Sequence, residues 1–301
     1  MRDGEGRGIV LALCGFALLS TGDAIIKTMA GEWSPLAVAA LRFTFGAIGL
    51  SGLLATTQGA KAFRPSRPWL QLGRGFCMAM ATIGFFSAVF IMPLAEATAL
   101  VFIAPILTAL LSGPLLGEKV RPATFIASAI AFVGVLIVLR PNFLALGIAA
   151  FLPLGSALFM SLLVIANRAS ANQGSALSMQ VFMAVCAAPI ITIAALVGNA
   201  TGMESLQIGW PSPSVALRCA FVAVTASTAH YLVYLATTKA NAATIAPMTY
   251  IQLLVAGTLG WWWFGDTPDL MTLIGALVII AAGLYLWRDS RRKLQSARAP
   301  V

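Results

Sequence analysis

Charge is what this sequence has least of. Of its 301 residues only 10% are Asp, Glu, Lys or Arg, while 59% are hydrophobic. A water-soluble domain carries about 25% charged residues, so a solvated globular fold is excluded. Histidine is almost absent too: the single His230 rules out a His-Glu-x-x-His zinc site. No Gly-x-x-x-x-Gly-Lys-Ser/Thr loop occurs, which argues against ATP-driven pumping by this chain. The 10 acidic residues form no cluster able to hold a divalent cation. Cys14, Cys77, Cys186 and Cys219 lie apart in apolar runs without a Cys-x-x-Cys pair, and read as buried inert thiols. No serine–histidine motif supports a hydrolase. The sequence therefore calls for neither metal nor cofactor, and the expected activity is not enzymatic.

The net charge of +9 resembles that of nucleic-acid binders, but its placement argues otherwise. Basic residues gather in short segments between apolar runs, "KAFRPSR" (61–67), "GEKVR" (117–121) and "WRDSRRK" (287–293). No basic face interleaved with aromatics appears, so nucleic acid is not an expected partner.

What is present is long apolar runs. A membrane-spanning helix needs about 20 mostly apolar residues. Cutting at charge clusters and at Gly/Pro-rich joints predicts ten spans, at 8–30, 34–56, 70–92, 94–116, 122–140, 145–166, 176–198, 214–237, 242–264 and 268–287. The first run is too long for a signal-peptide core and lacks a small-residue cleavage site, so it is kept as a span. An even number of spans puts both termini on one side. With the N-terminus inside, 15 basic residues fall on inner segments, and only Lys27, Arg140 and Arg218 fall at outer ends. That asymmetry predicts cytoplasmic termini. All 7 Trp residues fall at or near span ends, as an interfacial belt requires.

The chain also repeats itself. "AEATALVFIAPILTALLSGPLLGEK" (95–119) and "ANAATIAPMTYIQLLVAGTLGWWWFGDT" (240–267) each open on small and polar residues, pass a proline and close on Gly-acid. Each precedes an apolar span that ends in arginine, at Arg140 and Arg288. Five spans per half make the second half enter the membrane from the opposite side. The expected fold is thus all-α and integral to the membrane, with ten transmembrane helices in two inverted-topology five-helix repeats, 1–141 and 142–301. Secondary carriers of this architecture place their site between the halves near the midplane.

"SPLAVAALRF" (34–43), "PLAEATALVFIAP" (93–105), "LLGEK" (115–119) and "GVLIVLRP" (134–141) resemble the first half of an EamA-type protein of the drug/metabolite transporter superfamily. "APMTYIQLLVAGTLGWWWFGDTPD" (246–269) and "LIGALVIIAAGLYLWR" (273–288) resemble the second half. Asp266 stands where that family usually has Glu, a conservative departure. The resemblance implies a ten-helix carrier of small metabolites in the bacterial inner membrane, working by alternating access. A cavity expected to be mostly apolar and aromatic with few charges points to small zwitterionic or aromatic metabolites, with amino-acid export, including aromatic amino acids, as the leading activity. Uptake of a vitamin such as riboflavin, or of a nucleotide-like compound, is the alternative. A carrier of this kind needs no partner subunit, so a monomer suffices.

Candidate pathway residues follow from polar groups inside the spans, where an ionisable side chain is expensive and marks function or a partner. Ser20, Asp23 and Lys27 share one face of the first helix. At about 1.5 Å per residue, Asp23 lies ~10 Å from that helix's outer end and Arg42 ~12 Å into the next helix from the same side. The pair is expected to interact, with Lys27 reaching to the headgroups. Two roles stay open for it: a brace for the hairpin, or a proton-sensitive gate in contact with substrate. Ser227, His230 and Tyr234 make a polar stripe on the eighth helix, and Met248, Tyr250 and Gln252 lie on the ninth. Phe85 and Phe86 would form an aromatic cavity wall. Pro105 and Pro247 interrupt helices at membrane depth and are hinge candidates. Glu96, Glu118 and Asp266 read as helix-end carboxylates with no further role.

Cytoplasmic termini are directly testable. A green fluorescent protein fused after Val301 should fluoresce, and alkaline phosphatase at the same place should be inactive. The reverse pattern would overturn the orientation.

Overall fold

The computed structural model describes residues 2–117, 122–170, 173–239 and 246–296. Among them no strand occurs. This is what hydrocarbon demands, because a helix satisfies its own backbone N–H and C=O groups where water is absent. The helices are α1 (Arg2–Lys27), α2 (Pro35–Gln58), α3 (Pro68–Ile91), α4 (Leu94–Val101), α5 (Ala104–Leu116) and α6 (Pro122–Leu146). They continue as α7 (Leu152–Ala169), α8 (Ala176–Ala200), α9 (Pro213–Lys239), α10 (Ile251–Phe264) and α11 (Leu270–Ser296). Short 3₁₀ turns occupy Ala60–Phe63, Gly147–Phe151, Glu204–Leu206 and Ala246–Tyr250.

Among the described residues, 8 helical stretches are long and apolar enough to cross a membrane, and Pro122–Val138 is a shorter apolar helix. The expectation of ten spans departs from this in two instructive places. The span expected at 94–116 is one apolar stretch but two helices, because Pro105 brings no N–H and leaves the Val101 carbonyl without its usual donor. The chain tightens just before it: the Phe102 amide donates to Ala99 O at 3.2 Å and the Ile103 amide to Leu100 O at 3.4 Å. The span expected at 242–264 begins on residues outside those described. Its visible part is the 3₁₀ turn at Ala246–Tyr250 followed by the 14 residues of α10.

Two loop glycines explain how the sequence's Gly-acid signals work. Gly117 ends α5 at φ 70°, ψ 16°, with its amide donating to Gly113 O at 2.9 Å. Gly265 ends α10 at φ 69°, ψ 13°, with its amide donating to Trp261 O at 3.1 Å. Both are left-handed helix caps, a conformation open to glycine and strained for a residue with a Cβ. Glu118 lies outside the described residues; Asp266 follows Gly265 and donates its amide to Gly260 O at 3.0 Å.

The chain divides into two compact units. One comprises 1–21, 93–151 and 228–301; the other comprises 22–92 and 152–227. Each takes segments from both sides of residue 141.

In the first unit α6 packs along α11 so closely that there is no room for a Cβ at Gly134 or Gly275. A Cβ on Gly134 would lie 2.9 Å from Gly275 O, and a Cβ on Gly275 would lie 2.8 Å from Gly134 O. Ile106, Ala127, Ala131 and Ala282 form an adjacent core cluster. The second unit is built alike: α3 meets α8 where a Cβ on Gly75 would lie 2.3 Å from Cys186 Cβ, and meets α7 where a Cβ on Gly84 would lie 2.9 Å from Leu152 O. Small residues let helices approach where no hydrophobic driving force exists between them, and the gain is dispersion. Outward, Ile48, Phe132, Ile193, Leu217 and Val224 are exposed, which suits lipid contact.

The seam predicts opposite signs for similar substitutions. Gly134→Ala should destabilise the detergent-solubilised protein by about 1–3 kcal/mol through overpacking. Gly46→Ala in α2, where nothing lies within 4 Å, should be neutral or stabilising by about 0.4–1 kcal/mol. Thermal unfolding of both variants checks this.

Candidate functional site

The Asp23 cluster belongs entirely to the second unit. Its helix end, from Gly22 to Lys27, lies against α9, and the nearest atoms to a Cβ on Gly22 would be Val222 Cγ1 at 3.7 Å and Thr225 Oγ1 at 3.8 Å. Asp23 on α1 and Arg42 on α2 are both half-buried, and each acts electrostatically on the other. The Arg42 guanidinium carbon stands 4.8 Å from the centre of the Phe43 ring and 5.6 Å from that of Phe86. Cation–π attraction and the opposite charge together hold a cation that would otherwise be costly at membrane depth. Phe86 is 3% exposed, so it is packed inside the unit and is not a lipid contact. Phe85 beside it is half-buried. Cys219 lies beneath the group, packed against Met29 Sδ at 3.8 Å, and its thiol also acts electrostatically on Arg42.

Lys27 departs from expectation. Its ammonium donates to Met92 O at 3.1 Å and does not reach only for headgroups. Met92 caps the C-terminus of α3, where carbonyls lack intrahelical donors and the helix dipole favours a cation.

The candidates of the ninth expected span, 242–264, belong to the first unit. Tyr250 meets Phe102 edge to face, with centroids 5.5 Å apart and an interplanar angle of 81°. Its hydroxyl sits against Gly283, where a Cβ would lie 1.8 Å from it. Ser20 donates to the Gln252 carbonyl at 2.9 Å. Met248 packs on a core of Ala12 and Ala236 with Leu11 and Phe16. Around the Pro247 position the chain is 3₁₀, and Pro105 is exposed at the break between α4 and α5.

The stripe expected on α9 divides between the units. Ser227 gives its hydroxyl proton to Ala223 O of its own helix at 2.8 Å. His230 is half-buried, and Tyr234 is 46% exposed. The structure thus brings together Asp23, Arg42 and Phe86 in one unit, and Tyr250 and Gln252 with Phe102 and Ser20 in the other. Phe43 and Phe102 were absent from the sequence reading, since a phenylalanine in an apolar run carries no signal of what it faces. Arg74, one of the 15 basic residues expected on inner segments, is 5% exposed. Its position inside the expected span 70–92 was the available signal.

The model of the EamA-like transporter family matches residues 6–140 and again 147–288. The chain belongs to the EamA-like transporter family. It is therefore a multi-pass membrane protein of a family of transporters, not of enzymes. Among EamA-like relatives, a riboflavin transporter of Rhizobium johnstonii is 28% identical over 78% of this chain and 75% of its own length. An S-adenosylmethionine uptake transporter of Rickettsia prowazekii is 24% identical over 96% of this chain and 95% of its own. A pseudopaline exporter of Pseudomonas aeruginosa is 24% identical over 94% and 97%. One solved crystal structure superposes with a TM-score of 0.65 at 20% identity, covering 93% of this chain and 97% of that one, which shows a shared fold.

Gly283 gives the site's packing a test. Gly283→Ala should destabilise by about 1–3 kcal/mol, and adding Tyr250→Phe should recover more than half of that by removing the clashing hydroxyl. Equal unfolding temperatures for the single and double variants would show that the contact does not constrain Tyr250.

Proposed function

We propose that this EamA-like transporter is a secondary carrier that moves amino-acid-like zwitterions across the bacterial inner membrane by alternating access, most directly as an exporter of amino acids, aromatic ones included. The reading keeps ten transmembrane helices in two inverted five-helix repeats, 1–141 and 142–301. The observation that carries it is that Arg42 lies over Phe43 and Phe86 while it and Asp23, opposite charges within apolar helices, act electrostatically on each other. A carboxylate and a guanidinium can take the ammonium and carboxylate of a zwitterion, and aromatic rings can receive its side chain. The relative named for S-adenosylmethionine fits this, because that compound carries both groups on one carbon. His230, Tyr234, Ser227, Met248, Tyr250 and Gln252 belong to the pathway in this reading, and Pro105 and Pro247 to its hinges.

Riboflavin-like vitamin or nucleotide-like uptake is the second reading. It is favoured by the riboflavin transporter among the relatives and by the phenylalanine faces, on which a flat ring can stack.

Flux in proteoliposomes tests both, with labelled amino acids, S-adenosylmethionine and riboflavin, with and without a proton gradient. Saturable zwitterion flux is expected, reduced at least about tenfold by Arg42→Gln, an effect of ~1.4 kcal/mol. Asp23→Asn should reduce it similarly and flatten its pH dependence. Riboflavin flux indifferent to Arg42→Gln, with no amino-acid flux, would replace the first reading with the second.

A further inference from the structure

Arg74 is the most deeply buried charge the mechanism leaves unused. It stands in the second turn of α3, 5% exposed, between α7 and α8. Its Nε donates to Asn167 Oδ1 at 2.6 Å. Its Nη1 donates to Gln71 Oε1 and, at 3.2 Å, to the Met179 carbonyl. All three acceptors are neutral. None of α3, α7 and α8 contains an Asp or Glu, and among the described residues no carboxylate acts electrostatically on Arg74.

A buried guanidinium held only by neutral acceptors keeps its full charge uncompensated, which is expensive away from water. A residue used solely as a brace would be better served by a carboxylate, which forms the stronger bidentate pair. The guanidinium also retains capacity. Among the described residues Nη2 has no hydrogen-bond partner, and it is not one of the sealed unpaired atoms, which are Ser34 Oγ and Gln173 Oε1. Nε and Nη1 are therefore committed to the protein, and Nη2 alone keeps its protons to donate. At the same end of α3 the exposed Lys61, Arg64 and Arg67 add positive potential that gathers anions.

We propose that Arg74, fixed by Gln71 and Asn167, is an anion-recognition site for an oxyanion, carboxylate or phosphate, borne by a solute or by a lipid headgroup. It is separate from the Asp23 cluster: Phe86, under Arg42, is 12 residues further along α3, about 18 Å at 1.5 Å per residue. The neutral acceptors are the device. They orient the guanidinium without cancelling its charge, so an arriving anion finds both geometry and field.

The test supplies the missing counter-charge from the protein itself. Asn167→Asp and, independently, Gln71→Glu each put a carboxylate where a neutral acceptor now binds the fork. The full-length protein in neutral detergent is titrated with inorganic phosphate against chloride at constant ionic strength, reading Tm. In a second arm it is reconstituted into phosphatidylcholine with or without phosphatidylglycerol. A saturable rise in Tm with phosphate supports a solute anion; a rise only with phosphatidylglycerol supports a headgroup. In either case the shift should vanish in Asn167→Asp or Gln71→Glu, whichever folds, while Arg74→Lys retains part of it. A folded wild-type protein with no shift in either arm overturns the proposal. So does a shift that survives undiminished in the acidic variants, or failure of both acidic variants to fold, which would show that the pocket tolerates no anion.

Discussion

Close approach of helix backbones is the constraint on which this molecule rests. Lipid is as apolar as leucine, so burying apolar side chains gains little, and helices must be held by contact itself. Gly134 and Gly275 bring α6 and α11 within reach of each other's carbonyls, while Gly75 and Gly84 seat α3 against α8 and α7. Any Cβ at these points would strike backbone or a rigid neighbour. Two units are built by the same device, and that accounts for the many alanines among their buried residues.

On that scaffold each charge at depth has a separate solution. Lys27 donates to the carbonyl of buried Met92 at a helix end, Arg42 lies over two aromatic faces within the electrostatic influence of Asp23, and Arg74 donates to neutral acceptors. The differences matter more than the shared cost. At one loop-proximal end, Arg218 joins Glu32 in an ion pair and donates to the Thr28 carbonyl at 3.1 Å, while Trp33 donates to Gly209 O at 2.9 Å. These half-exposed ties secure connections and contribute modestly to stability.

Broken helices are the second recurrent feature. The interruption between α4 and α5 and the 3₁₀ turn before α10 both lie beside prolines, and Phe102 from the first packs on Tyr250 from the second within one unit. The two breaks are thus in contact, so displacement of either is felt by the other. Gly283 leaves room for the Tyr250 hydroxyl at that contact.

The sequence by itself determined the medium, the helical class and the family. Scarcity of charge, apolar runs about as long as a bilayer is thick and the Gly-acid caps at Gly117 and Gly265 are one-dimensional signals, set by backbone chemistry and composition. It also marked Asp23 and Arg42, because an ionisable residue in an apolar run is conspicuous without any fold. What Arg42 stacks on, where Lys27 ends and whether Arg74 is a loop charge or a buried one were tertiary decisions. They depend on which helix face meets which neighbour, and a phenylalanine or a glycine in an apolar run carries no mark of its partner. The split at Val101–Ala104 was suggested by Pro105, but the proline fixed only the lost hydrogen bond. The structure shows where the chain tightens, at the Phe102 and Ile103 amides.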